Sequence, residues 1–183
     1  QYWGQKRIEP IRQITGMVLK IALGLGIFLI ILCSLFPEAI LGFFTSDTAI
    51  LSEAENYLQI IKYTFLLYLV TQVLLSALRS VETVRIAFVI SCVSLIVNVS
   101  INYTLIYGRF GFPELGIRGA AIGTMISRCL EFLIVFIYVM KIDNKLKLFS
   151  NGAVFHIDKL LRSDYIKVAV PVFVSGMLWA ISV

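Results

Sequence analysis

The sequence predicts an all-α polytopic membrane helix bundle, and three observations carry that expectation. Of 183 residues, 59% are hydrophobic and only 15% charged, against about 45–50% apolar and about 25% charged in soluble domains. Mean hydropathy is +0.91. Apolar runs of roughly 20 residues, the length a helix needs to cross a bilayer core, recur along the chain. Disordered chains are poor in apolar residues, so disorder is excluded. The alternating segments of about 10 residues that build a membrane β-barrel are not found.

The first 12 residues, QYWGQKRIEPIR, are polar and basic, without a signal-peptide pattern. The first span then falls at 17–36, stopped by Pro37 and Glu38. The second, 57–78, is free of charge after Lys62, and the third, 86–107, carries none. The fourth, 119–140, contains Arg128 and Glu131. Residues 1–140 therefore read as one transmembrane bundle. A basic linker, 141–167, follows, and a further apolar run, 168–183, reads as the start of the next membrane helix. Lipid cannot satisfy bare backbone groups, so helices are the natural solution at these lengths. The chain begins without Met and ends inside an apolar run, so a piece of a longer protein is expected.

Eleven Lys and Arg fall on one side of these spans: Lys6, Arg7 and Arg12, then Arg79 and Arg85, then six within the linker. Only Arg109 and Arg118 fall in the loops opposite. Positively charged loops stay in the cytoplasm, which places loops 79–85 and 141–167 there. The net charge of +5 is then explained by orientation and requires no nucleic acid. In the linker, Val154, Ile157 and Leu161 recur at helical spacing among Asp158, Lys159 and Arg162. That pattern suggests a short interfacial helix; a solvated connector is the alternative.

Arg128 and Glu131 are the costly residues, at the middle of their span. Each costs up to roughly 2.5–3.5 kcal/mol at a helix centre, while ten Leu, Ile, Val and Phe return roughly 3–6 in total. Spacing of three residues puts them on one face, where they partly neutralise each other. Such a pair faces a bundle interior or an aqueous cavity. It serves either a cation or proton path or helix packing.

The third span carries Ser91, Ser94, Asn98 and Asn102, whose steps of three and four stack along one face. That stripe lines a cavity or holds helices together. Gln72 in the second span is a candidate for the same cavity. Gly119, Gly123 and Ser127 form a small-residue stripe that allows close helix approach. No catalytic constellation or phosphate loop is found, so an enzyme is not expected. Cys33, Cys92 and Cys129 sit in apolar runs, and the lone His156 has no metal-ligand neighbours, so no cofactor is expected.

The segments NYTLIYG (102–108), FGFPELG (110–116) and RGAAIGT (118–124) together resemble the multidrug and toxic compound extrusion (MATE) transporters. QYWG (1–4), ALRS (77–80), and Ala169-Val-Pro171 with Trp179 resemble further motifs of that family. The resemblance implies a twelve-helix antiporter of two six-helix halves in the plasma or inner membrane. This chain would supply helices three to six and the start of seven; its partners would be lipid and the remainder of the transporter. It implies export of cationic or amphipathic small molecules against Na⁺ or H⁺ by alternating access. In one branch of the family an Asn and, four residues later, an Asp form an ion site. Here Asn98 and Asn102 stand there, and an amide cannot carry the proton that a carboxylate would. The coupling carboxylate is then Glu131 or lies outside this chain. A flippase for lipid-linked oligosaccharides, of the same superfamily, is the nearest rival. It would line its cavity with several basic residues, whereas only Lys20, Lys62 and Arg128 lie in spans, the first two near ends where they can snorkel. A non-transporting membrane scaffold subunit is the rival of another class.

Overall fold

The computed structural model describes residues 2–45, 47–149, 152, 154 and 158–182. Helix α1 (Ile8–Leu35) is followed by short α2 (Pro37–Gly42), then α3 (Thr48–Ser80), α4 (Val84–Ile106), α5 (Gly116–Ile137) and α6 (Lys159–Ser182). A π-helical turn, Tyr138–Ile142, continues α5. No strand occurs among the described residues. Four helical stretches are long and apolar enough to cross a membrane: Ile8–Leu35, Thr48–Ser80, Val84–Ile106 and Gly116–Ile142. The shortest has 23 residues, which at about 1.5 Å each exceeds a hydrocarbon core of about 30 Å.

The helices outrun the apolar windows. Helix α3 starts at Thr48, nine residues ahead of the second span expected at 57–78. The cause is a cap: Asp47 Oδ1 accepts the Ala49 N–H at 2.9 Å, satisfying a donor that the first turn otherwise leaves bare. One consequence concerns Lys62, expected near a span end and able to reach water. It lies well inside α3, buried, its Nζ donating to Gln59 Oε1 at 2.9 Å. Helix α6 likewise begins at Lys159, ahead of its apolar run. The interfacial helix expected through Val154, Ile157 and Leu161 is divided. Leu161 belongs to α6, Val154 is buried in the bundle, and Ile157 lies outside the described residues.

Helix α1 packs on α3, α3 on α5, and α5 on α4, which gives the spatial row α1–α3–α5–α4. Apolar side chains such as Phe28, Ile31, Ile96 and Val99 point outward, as lipid-facing positions do. The larger core cluster sits where α3 turns into α4, around Leu75, Leu78, Val81, Ala87 and Val135.

A strap completes that end. Residues 143–148 fold back beneath the bundle, and Leu146 and Leu148 are fully buried in the cluster. The buried Asp143 carboxylate organises the turn. Its Oδ2 accepts the N–H groups of Leu146 (3.0 Å) and Lys147 (3.1 Å), and its Oδ1 that of Lys145 (3.3 Å). Arg12 Nε of α1 donates to the Leu146 carbonyl at 2.7 Å. Lys145 Nζ donates to the Val81 carbonyl at 3.2 Å and stands over the Trp3 ring. Val154 runs so close to α1 that its carbonyl occupies the space where a Cβ on Gly16 would stand.

Candidate functional site

Helix α5 places Arg128 and Glu131 one turn apart, and Arg128 Nη1 donates to Glu131 Oε2 at 2.6 Å. The carboxylate is sunk in the wall, with its side chain 3% exposed against 35% for the arginine. Helix α4 turns its polar stripe toward this pair, and α3 contributes Tyr68 and Gln72. Together they enclose a cavity of about 290 Å³ lined by Gln72, Ser91, Ser94, Asn98, Ser127, Arg128 and Glu131, with Tyr68 and Leu95. Five of the six site residues expected from sequence thus share one cavity: Gln72, Ser94, Asn98, Arg128 and Glu131. Asn102 does not line it. It sits one turn along α4, its Nδ2 donating to Asn98 Oδ1 at 3.3 Å.

The two asparagines do different work from the serines. Asn98 Nδ2 donates to Ser127 Oγ at 2.9 Å and to Thr124 Oγ1 at 3.4 Å. Those hydroxyls accept because their own protons go to helix carbonyls: Ser127 to Gly123 and Thr124 to Ala120, both at 2.8 Å. Asn98 is therefore committed to holding α4 against α5. Asn102 Oδ1 is buried without a hydrogen-bond partner among the described residues and lies against Gly123, where any Cβ would collide with it. By contrast, Gln72, Ser91 and Ser94 make no hydrogen bond to a described residue. They present free polar atoms to the cavity.

Tyr68 and Ser127 carried no expectation of a site role. The Arg128 guanidinium carbon stands 5.0 Å from the Tyr68 ring centroid, a cation–π contact. The available signal was spacing, because Tyr68 precedes Gln72 by one helical turn on the same face. Ser127 was legible only as a small residue.

A second, larger cleft of about 630 Å³ lies between α1 and α3. Its wall is mainly apolar and aromatic, with Trp3 and Tyr165, and includes Thr15, Ser76 and Ser80. Gln72 lines both spaces. Among the described residues, no cluster of three or more His, Cys, Asp or Glu is arranged to hold a metal ion.

The MatE family profile matches residues 1–104. Over all 183 residues the chain is 27% identical to the probable multidrug resistance protein YoeA of Bacillus subtilis (strain 168), covering 40% of that protein. It is 30% identical to the probable multidrug resistance protein NorM of Bacillus cereus (strain ATCC 10987 / NRS 248), over 94% of this chain and 38% of that protein. It is 25% identical to the multidrug resistance protein NorM of Vibrio cholerae serotype O1, over 75% of this chain and 29% of that protein. The chain thus spans two fifths or less of the length of these relatives. The profile covers α1 to α3 and most of α4, and the similarity to YoeA extends along the whole chain: the chain belongs to the MatE family.

Proposed function

We propose that this chain is part of a secondary antiporter that exports drugs or organic cations in exchange for Na⁺ or H⁺ by alternating access. One observation carries the reading. A carboxylate–guanidinium pair and free neutral oxygens surround a cavity in the apolar section of three packed helices. Charged groups at that depth are costly and mark ion and substrate paths. The adjoining cleft suits the cargo, since aromatic faces bind organic cations and apolar walls take their hydrophobic bodies. The names of the relatives point to drugs as that cargo.

In this reading Gln72 stands between the ion cavity and the cargo cleft. Helices α1, α3, α4 and α5 move as one half against the other. The basic end, with the 79–85 turn and the strap, faces the cytoplasm of the plasma or inner membrane. The test uses the full-length protein in proteoliposomes loaded with a fluorescent organic cation. An imposed Na⁺ or proton gradient should drive its movement, and collapsing the gradient should stop it. Movement indifferent to both gradients would overturn the antiport reading.

A further inference from the structure

Arg128 is itself a cation, and it sits on the carboxylate that an exchanged cation would need. Its contact with Glu131 joins one nitrogen to one oxygen, without the paired fork that makes arginine–carboxylate contacts strongest. The carboxylate is fixed in the wall, while the arginine leans into the cavity with a third of its side chain exposed. The Tyr68 ring flanks the guanidinium at 5.0 Å in the same arrangement, so this cation–π contact can hold the guanidinium once the carboxylate is released. The rest of the wall is uncharged. Ser94 is the informative member: it is 6% exposed, has no hydrogen-bond partner among the described residues, and lines the cavity. Its hydroxyl opens onto the cavity rather than being sealed in the wall, so it is available to a ligand there.

We propose that Arg128 is a tethered competitor. It holds Glu131 until a monovalent cation enters, and that cation displaces the guanidinium from the carboxylate and leaves it held by Tyr68. Glu131, Ser94 Oγ and the Gln72 amide oxygen then ligate the newcomer. Charge counting fixes the sign of the effect. With Arg128 present, the cavity is neutral when vacant and carries one positive charge when filled, so binding is weak. Without Arg128 it carries one negative charge when vacant and is neutral when filled, so binding is tight. The purpose of such a device rests on the antiporter reading, but its test does not.

The experiment is equilibrium binding of Na⁺, K⁺, Li⁺ or tetraethylammonium to the purified full-length protein at one fixed pH. Arg128→Gln should raise affinity roughly 5- to 150-fold, the usual span of coupling between two competing states. Arg128→Lys keeps a tethered charge and should stay near the parent. Glu131→Gln should abolish the site. Tyr68→Leu removes the contact that holds the released guanidinium and should lower affinity, whereas Tyr68→Phe should not; this pair decides the matter if Arg128→Gln fails to fold. A response confined to alkali ions identifies the coupling ion as the competitor, and one confined to tetraethylammonium identifies the cargo's cationic head. A folded Arg128→Gln protein that binds every probe no better than the parent overturns the proposal, as does equal binding by the two Tyr68 variants. Normal drug efflux with no gain in affinity would remove the tethered competitor alone. Gained affinity without any gradient-driven efflux would remove the antiporter alone.

Discussion

Asn102 Oδ1 lies where a Cβ on Gly123 would have to stand, so α4 and α5 touch through an amide and a missing side chain. Gly123→Ala should therefore destabilise the full-length protein by roughly 1–3 kcal/mol, the usual cost of overpacking. Asn102→Ala in the same protein should return part of that loss. Thermal unfolding of the two single mutants and the double mutant measures it, and simple additivity would show that the two residues are not in contact.

The two asparagines should respond differently to truncation. Asn98→Ala breaks bonds to Ser127 and Thr124 and should cost about 0.6–1.7 kcal/mol, the range for hydrogen bonds between membrane helices. Asn102→Ala loses one long bond and also removes a buried acceptor without a partner among the described residues. Its cost should be smaller. Melting temperatures in the order parent, Asn102→Ala, Asn98→Ala are the expected result; the reverse order of the two mutants would contradict the hydrogen-bond assignment.

Glu131→Gln or Arg128→Gln alone strands a charge. Breaking a fully buried pair costs about 3–5 kcal/mol. Arg128 is partly solvated, so about 2–3 kcal/mol is expected here. The double mutant should regain part of that stability. Unfolding by heat or denaturant checks this, and a double mutant as unstable as the sum of the singles would place the two groups in separate environments.

The helices were legible because apolar windows of membrane length have few alternatives. The cavity was legible because polar residues inside such windows stand out, and their spacing of three and four residues put Ser94 and Asn98 on one face and Arg128 and Glu131 on another. Tyr68 offered only its one-turn spacing from Gln72, because an aromatic side chain in an apolar span carries no contrast of its own. The division of labour between Asn98 and Ser94 was not legible, because it depends on where Thr124 and Ser127 of the neighbouring helix fall. The strap was hidden for a further reason. Leu146 and Leu148 alternate with lysines in a basic stretch, and only their place in the core cluster with Leu78 and Val81, and the Arg12 bond to the Leu146 carbonyl, makes them interior.

Thiol labelling tests the strap and the orientation together. Cysteines at Asn144 and Lys147 are exposed, whereas Leu146 and Leu148 are buried. In inside-out vesicles the first two positions should react with a membrane-impermeant maleimide and the last two should not. In intact cells none should react. Adding Asp143→Ala, which removes the acceptor for three backbone N–H groups, should open Leu146→Cys to the reagent. Labelling from outside would reverse the topology, and equal reactivity at all four positions would abolish the strap.

The strap also sets a leash. A free connector over 141–167 would let α6 wander far from the bundle. Instead Val154 is anchored in the end cluster, and α6 starts at Lys159. Five peptide steps join them, and fully extended chain advances at most about 3.3–3.6 Å per step, so α6 begins within roughly 18 Å of that anchor. Any swing of α6 against this bundle therefore starts from a tethered end, and only the opposite end of the helix is free to travel farther.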